Sequence, residues 1–460
     1  MLTVSTAILS RCMSPREFGL SALVLTVVTV AAVMVGSPFE DALAQRKVLR
    51  LAHLRASLTA SWMASLILLI LSIPLAMALG WAYGEPQMVL LLPVCMVSNF
   101  FSGHSDILSG LVRRQRRFTD LAIATLIGNA IGITLSVVLA LLGAGVWALI
   151  AQRILITAAR AVALQARARH IVLPSRSLGH LRDLVRYGGF AVVDRMIDNL
   201  IFLAFNYVVA GFYGLNTLGH VNMAMRLVEP IRGAIGATGH NLAFSFFARL
   251  QNDPEKLRDR AETIIGNSAL ATAPVFVGLA AVTPVLLPLV AGPGWDESIG
   301  IGICLAIGSA IVIPSRLFYT AFSARAKPEI SLLGNVAAFA VTLAVLILGA
   351  GFGPISVGLA RIAADLAQTV IAIAAPPRLL AWSRLGRFMT LAPAWCIAAL
   401  MGVAVVGFDR FVLDYSRLAQ LVLCIVVGVA LYGLFLSLFA RSRMAGLTSV
   451  IGIRVKPAGG

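Results

Sequence analysis

Long apolar runs, broken at intervals by charge or by Gly and Pro, dominate the chain. They fall at about 18–36, 58–83, 87–111, 119–142, 145–165, 187–211, 217–248, 261–291, 298–323, 330–349, 353–375, 388–408 and 418–440. Each is close to or longer than the roughly 20 residues that a helix needs to cross a bilayer core. Polar residues inside the runs do not alternate with apolar ones, so the ten-residue pattern of a membrane barrel is absent. A further run, Met1–Ser10, is too short to span at about 1.5 Å per residue. Either the start is assigned late or the first helix is half-length, and the late start is preferred. The pattern predicts an all-α integral membrane protein of about 13–14 transmembrane helices, the first one truncated.

Composition agrees. Of 460 residues, 59% are apolar and only 12% charged, where a soluble domain carries about a quarter charged residues. A water-facing surface cannot be covered with so few polar side chains, which excludes a soluble enzyme. The loops leave no room for a catalytic domain. Five scattered cysteines show neither a disulfide framework nor zinc spacing. Walker loops, Gly-rich nucleotide turns and metal-ligand clusters are missing as well, so neither cofactor nor metal is expected.

The net charge of +17 would suggest nucleic acid in a soluble protein. Here most of the basic residues fall in alternate loops, at 46–55, 113–117, 167–186, 249–260, 325–327, 378–387 and 441–456. The opposite loops hold only Arg11, Arg16, Arg410 and Arg417. By the positive-inside rule both termini are cytoplasmic, and no nucleic-acid partner is expected. Trp81, Trp147 and Trp295 then lie at outer ends, where an amphipathic ring prefers the interface.

An internal repeat organises the runs. Gly128-Asn129 after one basic loop matches Gly334-Asn335 after another, an offset of about 206 residues. Gly143-Ala144-Gly145 likewise matches Gly349-Ala350-Gly351, and the Phe18-Gly19-Leu20 corner matches Leu218-Gly219-His220. An even number of helices per copy makes the copies parallel. Two pseudo-symmetric six-helix lobes follow, 1–170 and 171–380, with two extra helices and a tail over 381–460. Transporters of this build hold substrate between lobes and expose it to each side in turn; duplication kept only for packing is the plainer reading.

Ionisable groups at membrane depth cost about 2.5–3.5 kcal/mol on insertion scales, so they face a cavity or a partner. Arg153, Arg160, Arg195, Arg226, Arg232, Arg316 and Arg361 lie inside spans, and every basic residue there is Arg. A guanidinium stays charged when desolvated and its fork matches phosphate oxygens. Arg226, Glu229 and Arg232 share one face of a helix that Pro230 should bend, and Gly233, Gly236 and Gly239 continue at the same spacing. Glu229 either neutralises an arginine in its own helix or belongs to the site; two cations sharing one carboxylate leave one for a cavity. Asp194, Arg195 and Asp198 can form a structural ion pair or couple a cation. Arg361 has Asp365 one turn on, whereas Arg153, at the matching place, has no such acid. Arg316, after Pro314, either snorkels or functions. His104 and Asp106 are a hydrogen-bonded polar core or an ion site.

Three stretches resemble a known family. Ser14-Pro15-Arg16-Glu17-Phe18-Gly19-Leu20, after Ser10-Arg11, is similar to the first corner of polysaccharide transporters in the multidrug/oligosaccharidyl-lipid/polysaccharide flippase superfamily. Gly214 to Arg226 resembles the corner of that family's second lobe. Phe244 to Gln251 with Asp253 resembles its cytoplasmic loop, without the usual proline. The resemblance implies a V-shaped pair of lobes in the bacterial inner membrane. It implies a flippase rather than an enzyme, moving a polyprenyl-diphosphate-linked oligosaccharide for exopolysaccharide or lipopolysaccharide synthesis. Partners would be that lipid-linked oligosaccharide, membrane lipids, and a polysaccharide polymerase and glycosyltransferases. Arg226, Arg232, Arg153 and Arg11 are the diphosphate candidates, with Glu229, Asp194, Asp198, Arg195 and Arg361 supporting or coupling. A drug/cation antiporter of the same superfamily would use Asp106, Asp194 or Asp198 instead. A membrane polymerase or ligase would need a large outer loop.

Overall fold

The structure, a computed structural model, describes residues 2–36, 38–40, 43, 50–168, 181–412 and 416–439. Among them the side chains of 2–4, 181–195, 197–198, 241 and 439 are excepted. The basic residues at 46–47, 169–176 and 441–456 lie outside the described set, as do the side chains of Asp194, Arg195 and Asp198.

Helices make up the described chain: α1 (Leu2–Cys12), α2 (Pro15–Val35), α3 (Leu51–Tyr83), α4 (Met88–Met96), α5 (Ser98–Arg114), α6 (Phe118–Leu141) and α7 (Val146–Arg167). They continue as α8 (Leu181–Arg249), α9 (Pro254–Ala291), α10 (Asp296–Ala324), α11 (Glu329–Leu348), α12 (Ile355–Ala374), α13 (Arg384–Asp409) and α14 (Arg417–Phe439). Among the described residues, 12 helical stretches are long and apolar enough to cross a membrane. The runs expected at 187–211 and 217–248 occupy one stretch, α8, interrupted at Gly214, whose φ of 82° is non-helical. The chain is a multi-pass membrane protein of all-α class.

Local chemistry sets the ends. Ser14 caps α2 in a capping box. Its hydroxyl accepts from the Glu17 N–H, and the Glu17 carboxylate accepts from the Ser14 N–H at 2.8 Å. Pro15 sits at the first helical position, where its missing N–H costs nothing. Asp253 caps α9 with its side chain alone, accepting from the Lys256 N–H at 3.1 Å. Within the spans, hydroxyls return to carbonyls one turn back, as Thr26 does to Ala22 and Ser309 to Leu305. A lipid environment requires that internal satisfaction.

The chain divides into two compact units, Met1–Gly219 and His220–Gly460. In unit 1, α7 packs on α5 and α6; in unit 2, α12 packs on α10 and α11, the same arrangement one repeat later. The matching corners explain their glycines. A Cβ on Gly19 would collide with the Leu215 carbonyl oxygen, and one on Gly219 would collide with that of Pro15. Backbones cross there with no space for a side chain, the usual use of small residues between membrane helices.

Two expectations are corrected. Trp295 is not an interfacial ring: it is buried, edge-on to His220, which is held by the Ser298 hydroxyl at 2.9 Å. Trp81, by contrast, is 88% exposed. Arg387 is not a loop charge. It is fully buried and donates to the carbonyls of Ala372, Ile373, Ala375 and Trp382, closing the end of α12. Orphan carbonyls at a helix C-terminus favour a cation there.

Candidate functional site

In unit 2, the second part of α8 and the middle of α10 enclose a cavity of about 320 Å³. From α8 it is lined by Arg232, Gly236, Gly239 and His240, and from α10 by Arg316 and Thr320. These positions recur at three and four residues on each helix, so each set is one helical face. Among the described residues, apart from the helix's own nearby backbone, no atom lies within 4 Å of where a Cβ on Gly233, Gly236 or Gly239 would be. These glycines do not admit a neighbouring helix; they leave bare backbone and open space.

The arginines are positioned from other helices. Arg232 is buried and meets Asp365 of α12 at 3.2 Å and Glu229 of its own helix at 3.8 Å. Asp365 thus turns to Arg232 and not only to Arg361 one turn before it, although Arg361 stays within its electrostatic reach. Arg316 donates from Nε to the Gln368 side chain at 3.3 Å, and Gln368 donates to Asn335 at 2.7 Å. The Tyr319 hydroxyl holds the Gln368 backbone carbonyl. A Cβ at Gly334 would collide with that hydroxyl. The Gly334-Asn335 repeat motif therefore orients Arg316. Among the described residues, Arg232, Arg316 and Arg361 face Glu229 and Asp365, leaving a cationic excess. Arg226, two turns before Arg232, is partly buried and does not line the cavity.

Unit 1 holds the counterpart. Asp106 of α5 lies within electrostatic reach of Glu40, Arg160, Arg153 and Arg113. Arg113 pairs with Glu40 at 3.2 Å, and Arg160 donates to Ser109 at 3.1 Å. Gly128 seats Arg160: a Cβ there would lie 3.1 Å from the arginine's own Cβ. The buried Nε atoms of Arg153 and Arg160 have no acceptor among the described residues. His104 is hydrogen-bonded to Gln165 at 3.0 Å, as a polar core residue should be. Asp106 makes no hydrogen bond or ion pair among the described residues, and its carboxylate lies against Gly36. Arg11, in the last turn of α1, is exposed.

With this geometry in view, the profile of the polysaccharide biosynthesis protein family matches residues 8–300, well over half of the chain. The chain belongs to that family. Within the polysaccharide biosynthesis protein family and the wider multidrug/oligosaccharidyl-lipid/polysaccharide flippase superfamily, the arginine-rich spans find a setting. One relative, the succinoglycan biosynthesis transport protein ExoT of Rhizobium meliloti, is 27% identical over 68% of this chain. That alignment spans 64% of the relative, so the chain covers less than two thirds of its length. Another, the lipopolysaccharide biosynthesis protein WzxC of Escherichia coli, is 23% identical over 80% of this chain and 75% of its own. Among solved structures, the lipid II flippase MurJ in an inward closed conformation superposes with a TM-score of 0.75 at 14% identity. It covers 96% of this chain and 97% of its own. An inward-facing MATE multidrug transporter gives 0.61 at 16% identity, covering 85% and 94%. At such identities these two neighbours establish the shared fold.

For this family member the sequence points to Arg232, Glu229 and Arg361, which the structure brings together. It leaves Arg316 undecided and does not single out His240, Gln368 or Asn335 as a set. A signal for His240 exists: it continues the four-residue spacing of Arg232 and Gly236.

Proposed function

We propose that the chain moves a polyprenyl-diphosphate-linked oligosaccharide from the inner to the outer leaflet of the bacterial inner membrane, by alternating access and without chemistry on the cargo. The observation that carries this reading is the cavity in unit 2 with Arg232 and Arg316 in its wall. A diphosphate is a compact anion that cannot cross hydrocarbon, whereas its lipid tail can remain in the bilayer. Guanidinium forks substitute for the lost hydration through charge-assisted hydrogen bonds. Only partial neutralisation by Glu229 and Asp365 keeps those arginines cationic towards a ligand. The similarity to ExoT, a transport protein, and to MurJ, a flippase, supports transport over polymerisation or ligation.

Arg232 and Arg316 bind the diphosphate in this scheme, Asp365 and Gln368 position them, and Arg226, Arg153 and Arg11 are further anion-attracting candidates, each within its own unit. Arg195, Asp194 and Asp198 remain candidates for coupling. Both termini are cytoplasmic, by the placement of basic loops. Cation antiport is the second reading, favoured by one observation: the Asp106 carboxylate makes no hydrogen bond or ion pair among the described residues. Reconstitution with a fluorescent polyprenyl-diphosphate sugar separates the two. Leaflet exchange supports the flippase; uptake of organic cations with no exchange overturns it.

A further inference from the structure

Beyond the cavity's arginines, α8 continues the same row with aromatic rings. Arg232, Gly236, His240 and Phe244 follow at four-residue steps along one helix. At a rise of about 1.5 Å per residue the row covers about 18 Å of the axis. His240 lines the cavity and is fixed twice: its Nδ1 is hydrogen-bonded to Thr320 at 3.0 Å, and its ring stacks on Phe244 at an interplanar angle of 19°. Both residues are exposed. Between arginine and rings, Gly236 and Gly239 leave a strip of bare backbone facing the cavity, with no atom of another described element within 4 Å of their Cβ positions.

Helix packing does not explain this strip. Glycine in a helix interior costs about 1 kcal/mol relative to Ala, and small residues recur in membrane helices where another backbone comes close. Among the described residues none comes close at Gly236 or Gly239. The arrangement is a sequence of ligand chemistries along one wall: a charged fork, an open floor, then a flat π surface. An aromatic face carries negative quadrupole density and attracts the polarised C–H groups on the flat side of a hexopyranose. His240 lies about 12 Å along the helix from Arg232, a span suited to a diphosphate ester bearing one hexose.

We propose that His240 and Phe244 form the subsite for the first sugar of the cargo, a hexopyranose with an apolar C–H face, directly joined to a diphosphate held by Arg232 and Arg316. This rests on the transport reading above and adds to it the order of the cargo along α8. The platform selects sugar-bearing lipid diphosphate over the bare lipid diphosphate.

The test uses the detergent-solubilised full chain, titrated with farnesyl diphosphate and with its glucosyl and galactosyl esters. Wild-type protein is expected to bind either ester about five- to tenfold more tightly than farnesyl diphosphate. Phe244→Ala should remove that preference and leave farnesyl diphosphate affinity unchanged, and His240→Gln, which keeps a hydrogen-bonding partner for Thr320 but no ring, should remove the preference as well. Arg316→Gln should weaken all three probes. Diphosphate binding without sugar preference overturns the platform alone, as does equal weakening of all probes by Phe244→Ala. Failure of wild-type protein to bind farnesyl diphosphate overturns the anion site as well.

Discussion

The two units treat the same problem differently. Among the described residues, each carries three arginines within reach of two carboxylates: Arg113, Arg153 and Arg160 with Glu40 and Asp106 in unit 1, and Arg232, Arg316 and Arg361 with Glu229 and Asp365 in unit 2. In unit 1 the acid nearest the cluster's centre, Asp106, forms no ion pair among the described residues, and Arg113 takes up Glu40 instead. In unit 2 the central acid, Asp365, is buried against Arg232, and a glycine-floored cavity opens beside the pair. An equal charge count thus yields two sites. The position of the carboxylate, more than its presence, decides whether an arginine is consumed by structure or left for a ligand.

Breaking the Arg232–Asp365 pair should have the largest effect. Arg232→Ala leaves a buried carboxylate unpaired, which costs about 3–5 kcal/mol. Pairing it with Asp365→Leu should restore most of the thermal stability without restoring transport; recovery of both would reduce Arg232 to a structural residue. Next, Arg387→Met removes a guanidinium that satisfies four carbonyls, and stability should fall by about 3 kcal/mol in a thermal melt, with cargo affinity unchanged. A comparison of glycines sharpens the contrast between packing and space. Gly219→Ala should destabilise by about 1–3 kcal/mol through overpacking. Gly236→Ala, with open space before it, should leave the melt unaltered and lower cargo affinity.

The smallest effect concerns the α9 cap, outside both clusters. Hydrogen bonds from the Lys256 side chain and backbone hold the Asp253 carboxyl below its usual range. A depressed carboxyl contributes stability above its unfolded pKa of about 3.9 and loses it as pH falls through the lower folded value. The difference in melting temperature between wild-type protein and Asp253→Ala should be full at neutral pH and vanish in strong acid.

Much of this architecture was legible in the sequence because bilayer thickness fixes helix length and the repeat marks its own offset. Arg232 with Glu229, and the open glycines after them, stand out at helical spacing. What could not be read was pairing across helices. Asp365 sits one turn from Arg361 in sequence, and nothing local shows that it turns to Arg232, 133 residues away. Arg316 near a predicted helix end looks like a snorkelling residue until Gln368 and Asn335 are seen to hold it. Arg387 follows two other basic residues and looks like loop charge, although it fills the carbonyl end of α12. Trp295 looks interfacial in sequence because the fit of His220 against it depends on a corner contributed by a different helix, far earlier in the chain.

On the reading proposed above, guanidinium groups in the unit 2 cavity carry a lipid diphosphate across the membrane. Its most direct test is the initial rate of leaflet exchange of a fluorescent polyprenyl-diphosphate sugar in vesicles, for wild-type protein against Arg316→Gln at equal protein content. Loss of one charge-assisted contact predicts a fall of about 10- to 100-fold. A rate for Arg316→Gln within twofold of wild type, on the order of 0.4 kcal/mol, would mean that the Arg316 guanidinium does not hold the diphosphate.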